Sequence, residues 1–293
     1  MSVPAAGDPI PASTKAALFC EALPFIQRYR GATIVVKYGG SAIGHESEAL
    51  ASFAQDVALL RALGMVPIVV HGGGPQIGAM MARLGKVPEF KEGLRVTDAE
   101  TLDIARMVLV GKVNRDIVGA INLQGPLAVG LSGEDGGLIV ASQRDPALGF
   151  VGDVASVDAS MLKRLVADGV VPVVATIGSD LAGQAYNINA DTVAGAIAES
   201  LGAEKLVFLT DVDGVRREPD SAASLISRLS PDDLDSLISS GVVAGGMIPK
   251  ARACAAAVRS GVGSAHVLDG RVEHALVLEL LTAEGVGTMV VPR

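Results

Sequence analysis

The sequence predicts an α/β fold, with a largely parallel sheet covered by helices on both faces, in two lobes, and preceded by an N-terminal helix. Three observations carry this. Apolar runs of strand length alternate with helical patterns along most of the chain. Hydrophobic residues make up 49% of the 293 residues and aromatics 3%, with no Trp, so the core has to be built from Val, Leu, Ile and Ala, as in sheets buried on both faces. The 35 glycines cluster at the ends of apolar runs, where tight strand-to-helix turns need them.

The elements follow in order. Residues up to about Pro11 carry no pattern and are expected to be disordered. A helical pattern runs from Ser13 to Tyr29, and Pro24 is expected to kink or divide it. Its apolar residues (Leu18, Phe19, Leu23, Phe25, Ile26) need a partner, either this domain or another subunit. Strand Thr33–Val36 enters Lys37-Tyr38-Gly39-Gly40-Ser41, and helix 46–63 leads to strand Val66–Val70, which enters His71-Gly72-Gly73-Gly74-Pro75. Pro75 suits the first position of a helix ending near Leu84.

Residues 90–96 read as a short hairpin around Glu92-Gly93. Thr97 and Glu100 form a capping-box pattern that opens a long helix toward Leu123. Strands are expected at 127–131, 138–142, 151–157 and 170–175, with a helix over 159–168. Thr176–Asp180 is the candidate junction between lobes. Beyond it come a strand at 186–188, helix Ala190–Leu201, strand Lys205–Thr210, the loop Asp211-Val212-Asp213-Gly214, and helix Pro231–Ser239. The turn Gly245-Gly246, helix Pro249–Arg259, strand 265–268, helix 274–281 and strand 288–291 complete the chain, without internal repeats. The division expected is an extension over 1–30, an N-lobe over 31–180 and a C-lobe over 181–293.

Several function classes lose their support. A net charge of −8 without a Lys/Arg-rich run argues against nonspecific nucleic-acid binding. No stretch is long and apolar enough to span a bilayer, and the N-terminus lacks a basic region followed by a hydrophobic one, so a cytoplasmic location is expected. Cys20 and Cys254 lie far apart and the four histidines are scattered, so no protein metal site is expected. Walker A, GxGxxG, H-R-D, D-F-G and G-x-S-x-G patterns are all missing.

A few residues stand out against this background. Two strands run into glycine turns, which point bare N–H groups at one spot and suit a polyphosphate. Lys37 stands at the carboxyl end of the first of these strands, where open α/β sheets bind ligands. Alone it would read as a lysine snorkelling from a strand end; Gly39-Gly40 shifts the balance toward an anion site. Lys250 lies in the first turn of a helix, against the dipole, a placement a bound phosphate would reverse from unfavourable to favourable; the alternative is a tolerated surface lysine. Asn187, Asn189 and Asp191 exceed what one helix cap requires, and a carboxylate between two lysines would hold both ammonium groups. Arg95 has the fork to grip a carboxylate, although pattern alone favours a surface arginine. His71 reads as a structural histidine bonded to backbone.

Taken in order, V-V-K-Y-G-G, V-V-H-G-G-G-P-Q-I, G-L-R-V-T, N-I-N-A-D, T-D-V-D-G-V, G-G-M-I-P-K and H-V-L-D-G-R-V resemble the amino-acid kinase family from about Leu18 to Val291. The resemblance implies an αβα sandwich whose N-lobe holds an acyl substrate and contributes to dimerisation, and whose C-lobe holds ATP. It implies phosphorylation of the side-chain carboxylate of N-acetyl-L-glutamate by ATP, with Mg²⁺ carried by the nucleotide, as a step toward arginine. Other acceptors within the family are glutamate, aspartate, carbamate and UMP, and a catalytically silent arginine-sensing homologue is the alternative from another class. By the family's scheme Lys37, Lys250 and Asp191 are catalytic. Gly72, Gly73, Leu94, Arg95 and Asn187 meet the acyl substrate. Lys37, Gly39, Gly40, Thr210, Asp211, Asp213, Gly214, Val215, Gly246, Met247 and Lys250 meet ATP.

The segment L-P-F-I-Q-R-Y-R is similar to the extension of the arginine-inhibited, hexameric branch of the family. That similarity implies a trimer of dimers and an arginine site at Tyr29, Lys205, His266, Glu279, Gly285 and Gly287. Ser41, where the family commonly has Asn or Ala, and the charged run Arg216-Arg217-Glu218 depart from the pattern.

Overall fold

A computed structural model describes residues 11–39, 47–91, 93–218, 221–283 and 285–293. The expectations for residues 1–10, Gly40 and Ser41 lie outside the described residues. In chain order the strands are β1 (Thr33–Tyr38), β2 (Val66–His71), β3 (Phe90–Lys91), β4 (Leu94–Arg95), β5 (Ala128–Ser132), β6 (Ile139–Gln143) and β7 (Val151–Val157). They continue as β8 (Val171–Ala175), β9 (Ile177–Ser179), β10 (Ala185–Ile188), β11 (Lys205–Thr210), β12 (Arg228–Leu229), β13 (Ser264–Asp269) and β14 (Thr288–Val290). The helices are α1 (Ala12–Tyr29), α2 (Ser47–Ala62), α3 (Gly74–Arg83), α4 (Ala99–Arg106), α5 (Asn114–Asn122), α6 (Ser160–Ala167), α7 (Ala190–Leu201), α8 (Pro231–Ser239), α9 (Met247–Arg259) and α10 (Ala275–Leu281).

Eight strands form the central sheet in the order β12-β14-β13-β11-β1-β2-β8-β5. Every neighbouring pair in it is parallel except β13 and β14. The near-continuous apolar strands are explained by burial on both faces. Ile34, Val36 and Tyr38 enter one core with residues of α2, α5 and α10; Val35 enters the other with residues of α7 and α9. The result is helices, sheet and helices in three layers, as expected. Because alternation is strict, Lys37 faces the same side as Val35, toward α7.

The structure departs from the sequence reading in five places. α1 is a single helix through Pro24. The proline ring forfeits only the bond to the carbonyl of exposed Cys20, while Phe25, Ile26 and Tyr29 hold the helix on the core. Thr97 and Glu100 form no capping box; Asp98 caps α4, accepting from the Thr101 N–H at 2.8 Å, while the Thr97 hydroxyl donates to the Arg95 carbonyl. A carboxylate outcompetes a hydroxyl for that orphan donor. The long helix after it is interrupted by a π-helical segment over Met107–Val113. Four short strands close into a small barrel, β10-β7-β6-β9, which includes Ile177–Ser179 of the expected junction. Pro75 occupies the second helical position rather than the first, where its missing N–H is equally harmless.

Candidate active site

Parallel topology places the carboxyl ends of β1, β2, β11 and β13 side by side: Tyr38 is level with His71 and Leu209, and Thr210 with Asp269. At this rim α7 begins. Its N-cap is Asn189, whose side-chain oxygen accepts from the N–H groups of Asp191 and Thr192 at 2.8 and 3.2 Å. The cap fixes the first turn and with it the carboxylate of Asp191. One oxygen of Asp191 lies 2.9 Å from Lys37 Nζ and the other accepts from Lys250 Nζ at 3.1 Å. Three residues far apart in sequence thus form one bridge of two cations about one anion.

Lys37 is 7% exposed and Asp191 6%. Burial pulls the Lys37 ammonium below its ordinary pKa, and the charge of Asp191 only partly opposes it. Burial works to raise the Asp191 carboxyl, but the two lysines outweigh it and hold the group below the usual range. The site therefore carries a net positive charge in a poorly hydrated setting, which is what a polyanion requires. Asp191 opens on a groove of ≈ 950 Å³ lined also by Leu94, Asn189, Thr192, Pro249 and Arg252.

Two glycine turns flank the bridge. The Gly39 N–H donates to the Leu209 carbonyl at 3.0 Å; a Cβ at this position would lie 2.7 Å from that oxygen and 3.2 Å from Lys37 Nζ, so only glycine fits. Gly72 packs against the start of α7, where a Cβ would meet that of Ala190 at 3.2 Å. Gly73 precedes α3 as its N-cap. Arg95, on the β3–β4 hairpin, donates to the Gly74 carbonyl at 2.9 Å and stacks over the Phe90 ring at 4.8 Å. Leu94 shares the groove with Asp191, and Asn187 lies on β10, three residues before α7. His71 is wholly buried, with Nδ1 3.0 Å from the Gly72 carbonyl, in agreement with a structural reading.

Asp211, Asp213, Gly214, Val215 and Met247 line a second recess, of ≈ 490 Å³. Gly214, at φ +146°, lies against Thr288, whose hydroxyl accepts from the Val215 N–H at 2.8 Å. Thr210 ends β11, and Gly246 is the N-cap of α9; both adjoin the recess in sequence without lining it. The unexpected Arg216 pairs with Asp213 at 2.7 Å. Sequence reasoning missed Arg271, which forks onto Asp269 and donates to the Asp211 carbonyl at 2.9 Å. The motif H-V-L-D-G-R-V contains both Asp269 and Arg271; only strand order shows that they reach this loop.

A third recess, also ≈ 490 Å³, lies beside α1 and brings together Tyr29, Lys205, His266, Glu279, Gly285 and Gly287. Lys205 donates to His266 Nε2 at 3.0 Å, so Nδ1–H of His266 donates to Glu279, at 2.7 Å. Lys205 also lies 4.8 Å from the Tyr29 ring centroid. Burial lowers the Lys205 pKa to about 8.

Among the described residues no group of three His, Cys, Asp or Glu side chains is placed to hold a metal ion, and no helix is long and apolar enough to cross a membrane. Both oxygens of Asp191 face ammonium groups, which balance its charge.

The family model described as the amino acid kinase family matches residues 32–269. The acetylglutamate kinase of Symbiobacterium thermophilum is 53% identical over 286 residues, 94% of this chain and 97% of that protein. That of Saccharopolyspora erythraea is 52% identical over 288 residues, 96% of this chain and 94% of that protein. Among solved structures, the N-acetylglutamate synthase of Neisseria gonorrhoeae is 28% identical. Complexed with coenzyme A and N-acetyl-glutamate it has a TM-score of 0.83 over 95% of this chain. Complexed with coenzyme A and L-arginine it has one of 0.82 over 95%. This chain spans only 63% and 65% of those two synthase chains.

Proposed function

The chain belongs to the amino acid kinase family, and from that premise we propose that it transfers the terminal phosphoryl group of ATP to the side-chain carboxylate of N-acetyl-L-glutamate, forming an acyl phosphate. The observation that carries the reading is the bridge Lys37–Asp191–Lys250 at the end of two glycine turns.

The chemistry needs no general base at the site. A glutamate-type carboxylate has a pKa of about 4.3 and is already a nucleophile at neutral pH. The obstacle is bringing an anion to a polyanion in line. Two ammonium groups meet the charge of the transferring group, the turn amide of Gly73 adds a donor, and Asp191 keeps both lysines aimed without touching substrate. Arg95, with Asn187, is the grip for the acceptor's α-carboxylate, and Leu94 and Gly72 line the same pocket. Thr210, the segment Asp211–Val215, Gly246 and Met247 frame the nucleotide. Mg²⁺ supplies charge neutralisation while bound to the ATP phosphates; the protein's own residues hold it only through the nucleotide.

A hydroxamate-trapping assay across N-acetyl-L-glutamate, L-glutamate, L-aspartate and carbamate, with ADP release in parallel, tests the acceptor. Product with another acid and none with N-acetyl-L-glutamate overturns the assignment; no ADP release with any acceptor favours a silent sensor.

The recess at Tyr29, Lys205, His266, Glu279, Gly285 and Gly287 is the proposed site of feedback inhibition by L-arginine, since it offers acid to a guanidinium and a lysine to a carboxylate. Linkage demands that arginine bind the inactive form better. A flat rate on titration to millimolar arginine removes the idea. α1 exposes Leu18, Phe19 and Leu23, at 54%, 76% and 48%, a face suited to a second copy of the chain in a hexamer. Its test is mass in solution with and without residues 1–30, where an unchanged oligomer removes α1 from the assembly.

A further inference from the structure

His71 takes no part in the phosphoryl chemistry proposed above, yet it ends the strand that leads into Gly72, Gly73 and Gly74. Its proton can be assigned from its neighbours. Asn114 turns Oδ1 to the guanidinium of Arg115, a pure donor, and Nδ2 to the Val173 carbonyl at 2.8 Å, a pure acceptor. Both contacts orient the amide the same way, so Nδ2 is the atom 3.1 Å from His71 Nε2. Nε2 accepts, the proton resides on Nδ1, and Nδ1–H donates to the Gly72 carbonyl at 3.0 Å. Burial brings the pKa of the ring down to about 4, which keeps it neutral in this tautomer near neutral pH.

The Gly72 carbonyl and the Gly73 N–H belong to one planar peptide and point opposite ways. Holding the first therefore aims the second. Among the described residues the Gly73 N–H donates to no backbone carbonyl. Gly73 is also held from behind. A Cβ there would lie 2.8 Å from Leu109 and 3.1 Å from Val113, both on the π-helical segment that ends at Val113, next to Asn114. A π turn adds a residue and shifts the phase of the helix beyond it, so one local feature sets both the buttress and the amide that fixes His71.

We propose that His71, locked by Asn114, is a positioning residue that aims the Gly73 amide at the carboxylate acceptor. The inference rests on the kinase reading above.

Two substitutions separate the two nitrogens. His71→Asn places an amide near the Nδ1 position and keeps a donor for the Gly72 carbonyl. His71→Gln places one near Nε2, satisfying Asn114 but releasing Gly72. H71Q is expected to raise KM for N-acetyl-L-glutamate about tenfold or more with KM for ATP within about twofold, and H71N to restore most of that loss. Equal kcat/KM for the two variants, or parallel rises in both KM values, overturns the proposal, because a merely structural histidine would not distinguish the substrates. If neither variant melts cooperatively, Asn114→Ser takes their place; the same split is expected, and an unchanged acceptor KM overturns it. If the parent protein does not turn over N-acetyl-L-glutamate, the substrate reading fails instead, and the split is read with the acceptor the hydroxamate assay returns.

Discussion

Lys37→Met is expected to remove most turnover while leaving the fold as stable as before, or more so. Burial is the root of both effects. Lys37 is 7% exposed and its pKa lies below 10.5, because desolvation exceeds the pull of Asp191. The folded chain thus holds this proton less tightly than the unfolded one. The cost is fully present below the folded pKa and fades as pH rises from there toward 10.5. At an effective dielectric of about 20, an ion pair of 2.9 Å is worth about 6 kcal/mol. Desolvation of each ion takes several kcal/mol, and Lys250 adds like-charge repulsion. Methionine fills the stem's volume without the charge, and Asp191 keeps Lys250 as its partner at 3.1 Å. The expected stability change is within about 1 kcal/mol of zero, or positive. Catalysis fares differently. A lost donor at the transferring group costs about 3 kcal/mol, roughly a hundredfold in kcat. ADP release with N-acetyl-L-glutamate and MgATP, beside thermal denaturation, measures both. A variant that melts well below the parent yet turns over at the parent rate refutes this account of Lys37.

Asp191→Asn should do the reverse for stability: a buried ammonium and a half-buried one lose their anion, and a loss of about 3–5 kcal/mol is expected by chemical denaturation together with loss of turnover. Gly39→Ala drives a Cβ to 2.7 Å from the Leu209 carbonyl and 3.2 Å from Lys37 Nζ; a cost of about 1–3 kcal/mol and a fall in kcat are expected, and an unaffected enzyme would deny the close approach. On the acid side, the His71 pKa of about 4 lies below its ordinary 6.5, so the unfolded chain gains a proton first as pH falls. Stability should therefore drop between pH 6.5 and 4 by up to about 3 kcal/mol from this group, and denaturant midpoints of H71Q should show a shallower slope over that window.

Much of the layout was legible from strand and helix periodicity. β7, β11, α7 and α8 begin and end at the expected residues, because each is a short apolar or amphipathic unit bounded by a local stop signal. The interruption of the helix after Asp98 was not legible. A π turn leaves no fixed residue signature, and what it accomplishes, setting Leu109 and Val113 behind Gly73, is a contact between residues far apart in sequence. The small barrel was equally hidden, since strands of three to seven residues pair according to what lies beside them, not to their own composition.

For the site, the sequence by itself determined the parts: a lysine at a strand end, glycines after it, a polar cluster opening α7, a lysine in the first turn of α9. These are local facts, written in alternation, turn chemistry and capping. What joins them was decided only in three dimensions. The order of parallel strands sets β1 beside β11, strand parity turns Lys37 toward α7, and Asp191 meets partners 154 and 59 residues away along the chain. The same holds for Asn114, whose role depends on a histidine 43 residues earlier. Pairing between distant charges carries no periodicity for a sequence to display; it exists because a folded core leaves those groups no solvent and few neighbours from which to choose.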